Sequence, residues 1–330
     1  MDISVINWNM GGGKFLKLKS EQRDAFMASL NQALAELCVK HRPDIVCLQE
    51  VTRYRRVGGE VVDLISPPPG YYYKMVPLVD TENNSHPVRW SKYKKAGNWA
   101  DEDYIGQGSG FLWRVDLAHA SVWDFEEGTC SDDLEVENVP VETGLFTGDR
   151  DTEPRSAVLA HFIIQSSDKQ LIYDIYLANN HLTTLKGERE GIPDIDRIGS
   201  AVRCKQVNTL LHGIVSRHVV WSQELKGIDD DRQSLYLLCG DFNAAQRSAE
   251  IQMVLNAGFR DVCPDKGLGN KACGLGSPPS HTVDYVFVYY VERRQDIEER
   301  FLSTVGRNPA PDLEFKVSDH FPVVAVLPVG

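Results

Sequence analysis

Residues 235–243 read LYLLCGDFN, an apolar run that stops abruptly on Gly240, Asp241, Phe242 and Asn243. Four to eight apolar residues bounded by turn formers predict a buried strand, here Leu235 to Cys239, and Gly and Asn suit the positive φ of a turn after it. The same form recurs on either side. Upstream, Leu171 to Ala178 is a strand candidate followed by Asn179, Asn180, His181 and Leu182. Nearer the start, Ile45 to Leu48 delivers Gln49 and Glu50, and Ile3 to Trp8 delivers Asn9. Downstream, TVDYVF carries Asp284, and VSDHFPV carries Asp319 and His320. Six apolar segments thus present an acid, amide or histidine, and layered architectures gather strand ends along one edge where such tips can meet.

Helical spacing fills the intervals. Ser20 can cap a helix with Phe26, Leu30, Leu34, Leu37 and Cys38 on its apolar face, stopped by Pro43. Cys204, Val207, Leu211, Ile214 and Val215 mark one face of a second long helix, and Ser248 caps a short one that ends at Gly258. Further strands are expected at Phe111 to Arg114, Ala157 to Ile164, Val283 to Tyr290 and Phe321 to Val326. Three long insertions, near 66–103, 126–154 and 182–199, read as loops, and loops of that length inside a compact domain usually surround function or are disordered. The middle one holds ten acids against the single base Arg150 and reads as a solvated acidic loop. No repeat and no Pro/Gly/Ser linker divides the 330 residues, so one domain over 1–330 is the expectation.

Composition narrows the class. With 42% apolar and 25% charged residues the chain is globular rather than disordered or fibrous. A formal charge of -12 is the opposite of the basic footprint of tight non-specific nucleic-acid binding, although carboxylates crowded around a divalent cation contribute to such a balance. Seven cysteines without CxxC pairs indicate neither a disulfide framework nor a zinc ribbon, which fits a reducing compartment. The opening MDISVINWN enters a strand pattern without a signal-type run, and no apolar run approaches the ~18 residues of a membrane span, so cytoplasmic residence is expected. Gly11, Gly12, Gly13 and Lys14 do not make a phosphate-binding GxxxxGK[ST] loop, because Phe15 follows, and read as a flexible turn.

Hard carboxylate oxygens holding Mg2+ or Mn2+, with a histidine to handle protons, suit phosphoester hydrolysis. The ordered set WN, LQE, GDFN, VDY and SDH resembles the endonuclease/exonuclease/phosphatase superfamily, from Asn9 to His320. That resemblance implies an α/β fold, a four-layer α/β sandwich with two mainly antiparallel sheets face to face and helices outside. It implies Glu50 as principal metal ligand, Asn9 beside it as a metal or phosphate contact, and Asp319 close to the metal. Asp241 and Asn243 would position the attacking water and the phosphate. Asp284 would accept a hydrogen bond from His320, the general base or transition-state donor. His181 falls where several branches keep a second histidine, Arg155 where relatives place a phosphate-binding arginine, and Tyr104 resembles a phosphate-contacting tyrosine. Gly11 departs from relatives that carry an acid two positions after the WN asparagine.

The strings of inositol 5-phosphatases, GDLNYR-like and WCDR-like, do not occur. Arg89, Trp90, Lys92, Tyr93, Lys94, Lys95 and Trp99 interleave bases with aromatics, a composition that contacts phosphates and stacks on bases. The favoured reading is a Mg2+- or Mn2+-dependent nuclease or phosphodiesterase, with nucleic acid as a candidate partner. Its alternatives are a phosphatase or phospholipid phosphodiesterase meeting a membrane surface through Pro67 to Tyr73, and a non-catalytic binding protein on the same scaffold.

Overall fold

The structure is a computed structural model and describes residues 2–56, 59–80, 105–115, 122–124, 129–131, 136–141, 155–165, 172–183, 193–215, 232–262, 271–272, 279–290, 318 and 320–328. One sheet contains β1 (Asp2–Asn9), β2 (Ile45–Arg55), β3 (Val61–Asp63), β4 (Tyr71–Asp80), β5 (Ile105–Arg114) and, last in the chain, Val323–Pro328. The C-terminal strand pairs antiparallel with β1, β1 runs parallel to β2, and β5 and β4 follow antiparallel. A second sheet takes strands Val136–Val141, Arg155–Gln165, Ile172–His181, Arg232–Asp241, Arg260–Asp261 and Asp284–Tyr290. Its one parallel pair is Ile172–His181 with Arg232–Asp241.

The two small pairs Val122–Asp124 with Thr129–Ser131 and Lys271–Ala272 with Pro279–His281 stand apart from these sheets. In chain order we number them β6 and β7, then the second-sheet strands at 136, 155, 172, 232 and 260 as β8 to β12, the pair at 271 and 279 as β13 and β14, Asp284–Tyr290 as β15 and Val323–Pro328 as β16. The helices are α1 (Gly12–Phe15), α2 (Ser20–His41), α3 (Pro193–Thr209, continued by a π-turn over Leu210–Val215) and α4 (Ala249–Asn256).

Alternation along the strands sorts the apolar residues into layers. Ile3, Val5, Ile45 and Cys47 of one sheet face Ile175, Leu177, Leu235, Leu237 and Val286 of the other in a shared core. Ile6, Trp8, Val46 and Leu48 point the other way, onto Met27, Leu30, Leu34 and Leu37 of α2. On the far side Tyr176, Tyr236, Leu238 and Phe287 meet Val207 and Leu210 of α3 and Ile251 and Val254 of α4. Helix, sheet, sheet, helix is the expected four-layer α/β sandwich.

Several expectations need correction. The stretch 66–103 is not all loop: Tyr71–Asp80 is the strand next to β5, where alternating side chains pack at a sheet edge. Of the Pro67 to Tyr73 stretch, the three tyrosines therefore lie in a strand, while Pro67 to Gly70 form the turn that leads into it. Tyr73 and Tyr71 pack against the α2-side core, Tyr71 donates a hydrogen bond to the Pro43 carbonyl, and Tyr72 lies against Trp113 with ring centroids 5.7 Å apart. The stretches 126–154 and 182–199 likewise contain β7 and β8 and the first turns of α3. Ser20 opens α2, but the capping position is Lys19, paired with Gln22. No helix of the described residues is long and apolar enough to cross a membrane.

Candidate active site

Two parallel pairs aim their C-terminal ends at one edge of the sandwich. β1 and β2 end their pairing at Asn9 and Gln49, and β10 and β11 pair in register from Ile172 to His181 opposite Asp241. Asp284 arrives differently from expectation: it begins β15 rather than ending a strand, and the antiparallel register places it directly opposite Asp241. His320 likewise precedes β16. An antiparallel strand brings its first residue to the edge where its partner delivers its last.

Glu50 sits on a bulge, where β2–β5 pairing slips between Leu48 and Val51, and its φ is +54°. A non-glycine residue in the left-handed region persists only where surroundings hold it. Gly12 supplies part of that hold, because a Cβ there would stand 1.8 Å from the Glu50 carbonyl oxygen. The glycine run is therefore a packed turn entering α1, not a flexible one. Gly11 takes φ +67° and its N–H donates to Asn9 Oδ1 at 3.0 Å.

Asn9 Nδ2 donates to Asp241 Oδ2 at 2.9 Å and, at 3.4 Å, to Glu50 Oε1. Its oxygen accepts from the Gly11 N–H. The amide ties together two carboxylates from opposite sheets. Asp241 Oδ2 is the centre of the constellation, 3.7 Å from both His181 Nε2 and His320 Nε2. His181 Nε2 is also 4.0 Å from Glu50 Oε1.

The expected His–Asp pair is present: His320 Nδ1 and Asp284 Oδ2 are 2.8 Å apart, both side chains buried. A carboxylate there takes a hydrogen bond from Nδ1–H, which turns a neutral ring's Nε2 lone pair toward Asp241. The His320 backbone is fixed from β1, its own sheet, while its ring bonds Asp284 of the second. Trp8 Nε1 donates to the His320 carbonyl at 3.0 Å, and Ser318 Oγ accepts from the His320 N–H while donating to the Asn9 carbonyl at 2.8 Å. Trp8 and Ser318 were not singled out by sequence reasoning. Their signal was adjacency, since each neighbours a site motif residue.

The GDFN turn matches its sequence reading. Gly240 takes φ +148° with no room for a Cβ, which would lie 2.0 Å from the Asn180 carbonyl oxygen, and Asn243 takes φ +48°. Asp241 Oδ1 accepts from the Asn243 N–H at 2.8 Å, and Asn243 Nδ2 donates to the Leu182 carbonyl at 3.0 Å. Asp241 is thereby held at Oδ1 by Asn243 and at Oδ2 by Asn9, with Oδ2 also facing the histidines.

Arg155 opens β9, and the register of Asn180 with Ala157 puts its backbone at the His181 end of the sheet; its side chain lies outside the described residues. Asp319, Tyr104 and the basic-aromatic cluster from Arg89 to Trp99 also lie outside them.

Asp241, Asp284 and His320 offer ligand atoms within 4.8 Å of one another. Two carboxylates and an imidazole, with Glu50 and His181 adjoining, form a donor set that suits a divalent cation. The pattern of the Endonuclease/Exonuclease/phosphatase family matches residues 6–320. The chain belongs to this family. Its members are generally metal-dependent phosphoester hydrolases. Among curated proteins no sequence matches significantly.

Among solved structures, an endonuclease/exonuclease/phosphatase from Bacteroides vulgatus is similar at 14% identity and a TM-score of 0.51, over 100% of both chains. A family protein from Bacteroides thetaiotaomicron is similar at 14% identity and 0.50, over 99% of this chain and 95% of that one. TDP2 from D. rerio, solved with a single-strand DNA product, has 16% identity and 0.49 over 99% of both. For the two Bacteroides proteins, at such identities, the likeness is one of fold.

Proposed function

We propose that this chain is a divalent-metal-dependent phosphodiesterase of nuclease type, built as a single domain over 1–330, in which water attacks phosphorus. One observation carries the reading: Asp241 Oδ2 stands between the two imidazole Nε2 atoms, 3.7 Å from each, with Glu50 on the His181 side. That gap is too long for direct hydrogen bonds and matches a place for a phosphoryl oxygen or water between the groups. Asp241 accepts the proton of the attacking water as the new P–O bond forms, while the ester P–O bond opposite the attack breaks and its oxygen leaves as an alkoxide that takes a proton from solvent to become the alcohol. His320, oriented by Asp284 and carrying a second proton on Nε2, and His181 donate to phosphoryl oxygens whose charge grows in the transition state. Asn243 holds Asp241 in place, and Asn9 keeps the Asp241 and Glu50 carboxylates together. A Mg2+ or Mn2+ ion held by Glu50 and Asp319 would neutralise phosphoryl charge and polarise the P–O bond.

Arg155 and Tyr104 are assigned to phosphate contact on motif position. Nucleic acid is the favoured substrate class, on the Arg89 to Trp99 cluster. Free thiols at Cys38, Cys47, Cys204 and Cys239 favour a reducing compartment such as the cytoplasm. The test is a panel of single- and double-stranded DNA, RNA, bis-p-nitrophenyl phosphate, p-nitrophenyl phosphate and sphingomyelin. Each is assayed with Mg2+, with Mn2+ and with EDTA. Polymer or diester cleavage that EDTA abolishes is the expected result. Turnover of the monoester alone would replace the reading with a phosphatase, turnover of sphingomyelin alone with a phospholipid phosphodiesterase, and silence throughout with a binding protein.

A further inference from the structure

The interior between the sheets changes composition in steps toward the site. Counting only inward-facing positions, β1 runs Val5, Asn7, Asn9, and β2 runs Ile45, Cys47, Gln49. Opposite them β10 runs Leu177, Asn179, His181, and β11 runs Leu237, Cys239, Asp241. Apolar side chains give way to amides and thiols, and these to the reactive groups. The middle step is a continuous layer. Gln49 Nε2 donates to Asn7 Oδ1 and to Asn179 Oδ1, each at 2.7 Å. Asn7 Nδ2 donates to the Gly240 carbonyl at 3.1 Å, and Asn179 Nδ2 to the carbonyls of Leu48 and Gly110 at 3.0 and 3.1 Å. Of these five bonds all but the one between Gln49 and Asn7 cross from one sheet to the other. The three amides are fully buried.

Such a layer is not what stability alone would select. Gln49 Oε1 is buried without a hydrogen-bond partner among the described residues, a cost that apolar side chains of equal volume would not carry. What amides add is direction. Facing apolar surfaces can slide over one another, whereas hydrogen bonds hold distance and angle together. Each bonded group also neighbours a site residue: Gln49 precedes Glu50, Gly240 precedes Asp241, Asn179 lies two before His181, and Asn7 two before Asn9. Cys47 and Cys239 meet across the same level, where burial keeps the Cys47 thiol protonated.

We infer that the Asn7–Gln49–Asn179 layer is a set of positioning residues that fixes the separation and register of the two sheet edges, so that Asn9 and Glu50 meet His181 and Asp241 in one reactive geometry. This rests on the phosphoesterase reading. The site spans two sheets, and misplacement by about 1 Å is enough to lower turnover by roughly 10²-fold.

Two variants of the full chain test it. In Gln49→Met each neighbouring asparagine keeps its other bonds, so the fold survives, with two carbonyl oxygens left unpaired. In Asn7→Leu/Gln49→Met/Asn179→Leu the layer's side chains are all apolar and none of them is unpaired, while the carbonyls of Gly240, Leu48 and Gly110 lose an amide donor. Thermal unfolding, Mn2+ binding by calorimetry, and kcat and KM on bis-p-nitrophenyl phosphate are read for both. The expected signature is divergence. Gln49→Met loses both Tm and kcat, whereas the triple variant regains Tm relative to Gln49→Met, stays about 10- to 100-fold low in kcat and binds Mn2+ more weakly. Full kcat and full Mn2+ affinity in either folded variant would overturn the inference and leave the functional reading standing. Wild-type protein that neither binds Mn2+ nor cleaves the diester would overturn the functional reading, and this inference with it. Should the triple variant not fold, Gln49→Met decides by the same two readouts.

Discussion

The two sheets follow one plan and, on the proposed function, carry different halves of the chemistry. Each centres on a parallel pair joined through a helix, β1–α2–β2 in one and β10–α3–β11 in the other, with an antiparallel strand on either side. At the edge they diverge. The first pair ends in Asn9 and Glu50, with the ladder broken at a bulge and Glu50 in the left-handed region at 22% side-chain exposure. The second continues in register to His181 and Asp241, and Asp241 is 1% exposed. An ion must enter, exchange water and leave, so a strained and accessible carboxylate suits it. Proton handling and orientation of water need a fixed, desolvated group, and an unbroken ladder supplies that. On the proposed function, one topology used twice gives an ion-facing half and a proton-handling half because the local ladder differs, not the fold.

Substitutions in the two halves should therefore fail in different ways. The largest expected effect belongs to the proton-handling half: Asp241→Asn lowers kcat by roughly 10²- to 10⁴-fold, measured under saturating Mg2+. Asp284→Asn removes the acceptor that orients His320 and lowers kcat by about 10²-fold or more, while Mn2+ affinity by calorimetry stays near the wild-type value. Comparable loss of Mn2+ binding would show that Asp284 works for the ion instead. Glu50→Gln should do the opposite, raising the Mg2+ concentration for half-maximal activity by at least ~10-fold with much of kcat recovered at high Mg2+.

Gly12→Ala and Gly240→Ala probe the supports of the two halves. Each new methyl meets a backbone carbonyl at 2 Å or less, so each variant should lose about 1–3 kcal/mol or more in denaturant unfolding. The smallest effect concerns α2. Burial pushes the Cys38 thiol up to about 12 from its ordinary 9.0. The unfolded chain therefore releases that proton from about pH 9 while the folded chain keeps it, and stability falls as pH rises from 9 toward 12. Cys38→Ala should flatten that part of the stability curve, read by urea unfolding at each pH.

Much of the plan was legible in the sequence because the central strands carry unbroken apolar runs and end in residues that suit no core. LYLLCGDFN and IVCLQE announce both the burial and its end. The β4 strand was not legible, because PPPGYYY carries turn formers and its partner β5 lies more than thirty residues on. Asp284 appeared as a strand end only because pattern gives no direction of pairing. The amide layer was hidden for a similar reason: Asn7, Gln49 and Asn179 look like polar interruptions of separate strands, and only the facing of the two sheets makes them one network.

The most direct test of the central claim is Mg2+-dependent hydrolysis of bis-p-nitrophenyl phosphate by wild-type protein and by His320→Ala, with folding checked by circular dichroism. The expected result is activity in the wild type that EDTA abolishes, and a folded His320→Ala protein slower by roughly 10²- to 10⁴-fold. Activity in His320→Ala close to that of the wild type, or wild-type turnover indifferent to EDTA, would contradict it.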